Sequence, residues 1–264
     1  MATLFGGASD DHLVGTNFDD VIAGLGGNDF INGKGGDDVL FGGRGDDLIL
    51  GGRGDDIAFG GVGDDVILGG QGDDALFGGR GDDLILGGKG DDIVFAGVGD
   101  DVVLGGKGDD IIFGGRGDDV LIGGKGNDIL LGGRGDDVVI GGQGNDIMRG
   151  GGGNDLLIGG RGNDQIAGGG GNDVMIGGAG RDAFEFSGGG GQDLVVDFEE
   201  GADILLISRN INGLTVETAA DLSGRVSNVG GNAVVDLGSG DSLTLIGVDA
   251  EDIQDNPDAF FVIA

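Results

Sequence analysis

The 264 residues include 70 Gly, one Pro and no Cys, Trp or Tyr, yet 38% of the chain is apolar. This composition excludes a collagen helix, which needs glycine at every third place with abundant proline, and it excludes simple disorder. The 48 acidic against 14 basic residues leave a formal charge of −34, which repels nucleic acid and anionic membranes and gathers cations.

In chain order, the first feature is a nine-residue unit that keeps its phase without insertion over residues 6–185, giving 20 units. The pattern is G-G-x-G-[DN]-D-U-U-U, with U apolar, and residues 42–50 (GGRGDDLIL) are typical. Position six is Asp in all 20 units; position five is Asp in 13, Asn in six and Arg once. The first three units and the last are less regular, as the ends of a stacked array should be. Each unit reads as a glycine-rich turn followed by a three-residue strand of β-formers, such as Val39, Leu40 and Phe41. Strands so short must stack, and two consecutive nonapeptides make one coil with a strand on each side. At about 4.8 Å between strands, ten coils extend about 48 Å.

This pattern resembles the nonapeptide of the RTX (repeats-in-toxin) family over about two thirds of the chain. The resemblance implies an all-β, right-handed parallel β-roll of about ten coils with Ca2+ held between successive turns along both edges. It further implies that the position-six Asp and carbonyls of the G-G-x-G stretch are the ligands. The implied metal ligands are Asp20, Asp29, Asp38, Asp47, Asp56, Asp65, Asp74, Asp83, Asp92, Asp101, Asp110, Asp119, Asp128, Asp137, Asp146, Asp155, Asp164, Asp173 and Asp182. Which carbonyls join them stays open at this point.

Elementary electrostatics points the same way. Asp side chains one coil apart come within about 5 Å, where two charges repel by roughly 0.8 kcal/mol in water and about 3 kcal/mol at an effective dielectric of 20. Summed over two columns, this prevents stacking unless cations intervene. Carboxylates and carbonyls suit Ca2+, which takes six to eight oxygens; Mg2+ prefers to keep its water, and Zn2+ would want Cys or His, of which only His12 exists. Nine gaps on each edge set an upper bound of about 18 ions. The repeat block carries 33 Asp and Glu185 against 12 Lys or Arg, a net −22, so filling most sites would more than neutralise it. The alternative for individual Asp residues is an Asx-turn or a solvated edge. Terminal sites are weakest, because the first units lack parts of G-G-x-G and Arg181 replaces the fifth-position acid in the last.

In each triplet the middle residue should face inward, giving a narrow core of Leu40, Ile49, Ala58, Ile67, Leu76, Ile85, Val94, Val103, Ile112 and Leu121. The flanking residues should face out, yet they too are apolar. One side carries Phe41, Phe59, Phe77, Phe95 and Phe113; the other carries Leu50, Leu68, Leu86, Leu104, Ile122 and Ile140. Each strip of roughly 500 Å² is large for a monomer. Either β-propensity and cover by the C-terminal segment explain these faces, or they are self-association surfaces. Use of both opposed faces would join copies into a filament or sheet. The Phe series ends at Leu131, Arg149, Ala167 and Glu185.

Smaller signals are absorbed by the repeat. Five Arg-Gly-Asp triplets, beginning at Arg44, Arg53, Arg80, Arg116 and Arg134, place their Asp in the turn, and G-x-G-x-x-G spacings recur without a following helix. A single Thr16 in the block offers no ordered threonine row for ice binding. Arg53, Lys89, Lys107 and Lys125 offset charge along one edge, or contact an acidic neighbour or polysaccharide.

Residues 186–264 read as a compact β cap. Asp193-Leu194-Val195-Val196-Asp197-Phe198 followed by Asp203-Ile204 resembles the D-x-I-x-D-F segment that follows RTX rolls, and residues 226–246 suggest two successive hairpins. The acidic stretch before Phe260-Phe261-Val262-Ile263-Ala264 resembles a type I secretion signal, or is an ordinary final strand. There is no basic-then-apolar leader at Met1 and no apolar run long enough for a membrane span, and without Cys there are neither disulfides nor thiolate sites.

The expectation is therefore an extracellular, non-enzymatic, calcium-binding structural protein, exported by type I secretion machinery, that folds on Ca2+ and forms a homo-oligomer or filament. The alternatives are a monomeric adhesin for a hydrophobic or polysaccharide surface, or the carrier subunit of a separately encoded enzyme or toxin. The domains expected are a roll over 1–185 and a cap over 186–264.

Overall fold

A computed structural model describes residues 1–264, and the chain packs as two units, Met1–Gly132 and Gly133–Ala264. In the first, strands alternate between two parallel sheets. One contains Thr3–Phe5, Val21–Ala23, Val39–Arg44, Ile57–Val62, Ala75–Arg80, Ile93–Val98 and Ile111–Arg116. The other contains His12–Val14, Phe30–Asn32, Leu48–Arg53, Val66–Gln71, Leu84–Lys89, Val102–Lys107 and Val120–Lys125. Every pairing is offset by two nonapeptides, such as Phe41 opposite Phe59. This is the parallel β-solenoid that the repeat demands.

The regular strands are six residues long, not three. The triplet and the following G-G-x form one strand, with Gly43 pairing Gly61 and Arg44 pairing Val62. Gly43 sits at φ 121 with a neighbouring turn's Leu25 carbonyl where a side chain would begin, so only glycine continues the ladder there. The three-residue strands survive only in the irregular first units. The predicted inward residues, Leu40 through Leu121 at nine-residue intervals, are all completely buried. Each methyl or methylene so removed from water contributes roughly 0.8 kcal/mol.

The second unit begins by the same rule, with Val139, Met148, Leu157, Ile166, Met175 and Phe184 buried in its core. Past Phe186 the parallel stacking persists although the nonapeptide is lost. Gln192–Val195 adds to Val174–Ala179, and Ile204–Ile207 adds to Ala183–Phe186. Asp241–Leu245 and Phe261–Ile263 then add to those two strands in turn. The expected hairpins are Val226–Val229 against Asn232–Gly238, and Asn232–Gly238 against Asp241–Leu245, both antiparallel. Short helices at Ala220–Ser223 and Ala250–Asp255 were not legible as such. Phe198 packs between strand and C-terminal segment, its ring 6.3 Å from Phe184 and 5.8 Å from Phe260. No helix is long and apolar enough to cross a membrane.

Candidate metal centre

The position-six aspartates form two columns, because alternate nonapeptides stack in register. In the Met1–Gly132 unit one column runs Asp20, Asp38, Asp56, Asp74, Asp92, Asp110, Asp128, and the other Asp29, Asp47, Asp65, Asp83, Asp101, Asp119. In the Gly133–Ala264 unit the columns are Asp146, Asp164, Asp182 and Asp137, Asp155, Asp173. All nineteen residues expected from the sequence are in these columns, and each is at most 2% exposed. Every rung uses the same bond: the Asp47 Oδ1 accepts from the Asp29 main-chain N–H at 2.7 Å, and Asp65 Oδ1 accepts from Asp47 at 2.8 Å.

The second oxygen is different. Buried Oδ2 atoms of Asp29, Asp38, Asp47, Asp56, Asp65, Asp74, Asp83, Asp92, Asp101 and Asp110 accept no hydrogen bond, nor do those of Asp155, Asp164 and Asp173. A buried carboxylate oxygen with no donor is expensive, and a column of them more so. Burial first, and then the neighbouring carboxylates, push Asp56, Asp65, Asp74, Asp101 and Asp110 up to about 7, although a main-chain N–H on each pulls the other way. The same balance puts Asp38, Asp47, Asp83, Asp92, Asp155, Asp164 and Asp182 at about 6.

The space around each Oδ2 holds more acceptors. A methyl built on Gly42 would collide with both Asp47 Oδ2 and the Gly60 carbonyl oxygen, so the two oxygens converge on one spot. The position-four carbonyls of Gly45, Gly63 and Gly81 accept no hydrogen bond, and each lies against the equivalent glycine of the next turn. Nowhere do three or more His, Cys, Asp or Glu side chains meet to hold an ion, so any ligand set must draw on the main chain. Carboxylate plus carbonyl, oxygen only, is the donor set of Ca2+. The residues present therefore fit calcium, held by position-six carboxylates together with main-chain carbonyls, the position-one carbonyl among them.

Sequence reasoning missed three things. First, the ladder does not stop at Asp182: Asp173 donates its N–H to Asp193 Oδ1 at 3.1 Å, and Asp182 to Asp203 Oδ1 at 2.9 Å. These wider spacings hide both rungs from a period-nine search; the run Asp193-Leu194-Val195-Val196-Asp197 followed by Asp203 was the available signal. Second, position five forms an outer, exposed ladder of opposite sense, in which Asp55 N–H donates to Asp37 Oδ1 and Asp73 N–H to Asp55 Oδ1, both at 2.9 Å. Third, Asp20 differs from the other rungs. Burial pushes its carboxyl up, but N–H groups of Ala2 and Thr16 and the Thr16 hydroxyl outweigh that and hold it below the usual range. At that terminal rung Oδ2 accepts from the Thr16 N–H and hydroxyl, whereas Oδ2 of Asp29 and Asp38 accepts from no donor.

The expected faces are present. Phe41, Phe59, Phe77, Phe95 and Phe113 stack with centroids 4.6–5.3 Å apart and planes within 3–12°. Phe41 and Phe95 stay 39% and 40% exposed. Leu50, Leu68, Leu86, Leu104 and Ile122 on the other sheet are half-buried, as is Ile140 in the second unit. Rung-on-rung packing covers much of both faces, which are less open than alternation alone implies.

A family model described as RTX calcium-binding nonapeptide repeat (4 copies) matches in overlapping windows from residues 5–40 to 149–184. Among solved structures, the chain is similar to the extracellular lipase LipA from Serratia marcescens at 19% identity and a TM-score of 0.43. That match covers 87% of this chain and 45% of the lipase, so the chain spans less than half of that protein. It is also similar to a hyperactive, Ca2+-dependent, β-helical antifreeze protein from an Antarctic bacterium, at 22% identity, TM-score 0.38, and coverage of 76% and 78%. No curated protein sequence matches it.

Proposed function

The chain belongs to the RTX calcium-binding nonapeptide repeat family, and from that premise we propose that it is a secreted, non-enzymatic structural protein whose folding is driven by Ca2+ and whose copies associate through the apolar faces. The observation that carries this reading is the row of buried Oδ2 atoms without donors. Without cations those charges oppose stacking; with them, each gap becomes a cross-link between turns. Unfolded at low calcium and folded at high calcium is the consequence, and it suits a chain exported before it folds. The gaps between nonapeptides alone allow up to about 18 ions.

For the faces, the ring geometry favours protein partners over sugars. Each phenylalanine spends its π-surface on the next ring of the ladder, leaving ring edges outward, so a sugar ring has no aromatic face to stack on. Ring edges flanked by Ile57, Ile93 and Ile111 suit a second apolar sheet face instead. Sedimentation of the full chain tests the reading: in Ca2+ it forms species larger than a monomer at micromolar concentration, and in chelator it does not. A Ca2+-loaded chain that stays monomeric ends the assembly part, and a chain with full β-structure in chelator ends the folding part.

A further inference from the structure

In the Gly133–Ala264 unit the Asp column lengthens its step between Asp173 and Asp193, beyond the two-nonapeptide spacing that separates Asp155 from Asp173. The added residues are taken up in the loop 187–191 (SGGGG), and beside it lies a cavity of about 210 Å³. Arg149, Gly169, Glu185, Gly190, Asp193 and Asp241 are among its lining residues. We propose that this cavity is a calcium site separate from the nonapeptide gaps, with Asp193 and Asp241 as its two carboxylates and main-chain carbonyls completing the shell.

The register brings the two acids together. Asp193 lies opposite Leu243, and Val195 opposite Leu245, in parallel strands. Side chains alternate along a strand, so Asp241, Leu243 and Leu245 share the inward side with Asp193 and Val195. Asp193 is 6% exposed. Its Oδ1 is taken by the Asp173 N–H, while its Oδ2 accepts no hydrogen bond and is aimed at Gly190. There it would lie 2.9 Å from an added Cβ, with the Gly169 carbonyl oxygen 3.3 Å from the same point.

Two of the polar side chains in the lining are engaged elsewhere. Arg149 faces Glu185 at 3.5 Å, reaching across Ala167, and the Asn212 Nδ2 donates to the Leu237 carbonyl. In the repeats the next Gly-rich turn contributes carbonyls around each Oδ2. After Asp193 no such turn follows, and the hairpin strand brings a second carboxylate instead. Two carboxylates neutralise one divalent ion, and an irregular all-oxygen shell suits Ca2+ better than the strict octahedron of Mg2+.

The test counts ions bound to the full chain by equilibrium dialysis with radioactive calcium, alongside far-ultraviolet circular dichroism. Asp241→Asn is expected to bind one Ca2+ fewer than the unaltered chain with an unchanged β-signal. Asp255→Asn, which removes an exposed charge from the helix Ala250–Asp255, away from the lining residues, is expected to lose none. An unchanged count in a folded Asp241→Asn overturns the proposal, as does an equal loss in Asp255→Asn. Should Asp241→Asn not reach the β-signal, Asp241→Glu must restore both signal and count, and its failure to do so counts against the site. If the unaltered chain binds no calcium, it is the repeat reading that fails; an unaltered chain that binds many ions with no change on substitution isolates the failure to this cavity.

Discussion

Asp47 in the repeats and Asp203 in the cap hold equivalent rungs, each accepting from a main-chain N–H of the rung before. Their second oxygens differ. Asp47 Oδ2 is buried with no donor, whereas Asp203 Oδ2 accepts from the Glu199 N–H at 2.8 Å. Elsewhere in the cap, Asp221 is held below the usual carboxylate range by N–H groups of Thr218 and Glu217 and by the Thr218 hydroxyl. Asp203 and Asp221 are thus satisfied from the cap's own chain, and the cap packs around Phe198, Leu205, Ile253 and Phe260. The repeats leave theirs for a cation. Two regions of one chain thus rest on different forces: ion binding in one, apolar burial with local capping in the other.

Removing calcium should break this comparison most strongly. In chelator at neutral pH, amide exchange over residues 20–132 is expected to lose protection before residues 198–264 do; the reverse order would show that the repeats stand without ions. Next in size, replacing Asp83, Asp92 and Asp101 together by Ala should remove several bound ions. Each ion lost costs on the order of 3 kcal/mol when Ca2+ is a hundredfold above its Kd. Unchanged ion uptake and thermal midpoint in that variant would contradict the ladder.

Acid should separate the two states of the repeats in opposite directions. In the metal-free chain, carboxyls held at about 6 to 7 when folded, against 3.8 for the ordinary group, favour the folded form once protonated. That stabilisation is complete below about pH 4 and fades as pH rises through 6 to 7. Lowering the pH of the calcium-free protein from 7.5 to 4 should therefore raise its β-signal, while the same change should expel ions from the loaded protein. Circular dichroism and a calcium electrode report the two effects.

The smallest effect sharpens the geometry. Gly79 has φ 120 and the Gly61 carbonyl at its would-be Cβ, so Gly79→Ala should cost more than about 1 kcal/mol in the loaded protein. Gly78→Ala also meets two oxygens, Asp83 Oδ2 and the Ala96 carbonyl, but it carries no positive-φ strain and a methyl already stands at the equivalent Ala96, so it should cost less. Equal thermal midpoints for the two variants would mean that the strand path through the G-G pair is not what restricts position two.

The sequence alone determined the coil length, the inward triplet residue and the identity of the Asp columns, because a fixed nine-residue period forces equivalent side chains onto the same line. It also pointed to calcium, since like charges stacked about 5 Å apart need a hard counter-ion. Tertiary structure decided the rest. Strand length doubled because Gly43 and its equivalents pair across turns, which no local propensity reports. In the regular rungs, such as Asp47 and Asp65, one oxygen of the Asp went to a main-chain N–H of the preceding coil and the other was left without a donor, a division set by contacts a full coil apart in the chain. Asp193, Asp203 and Asp241 took their places only because strands after the last repeat stack onto the solenoid at irregular spacing, where periodicity carries no information and register alone fixes the neighbour.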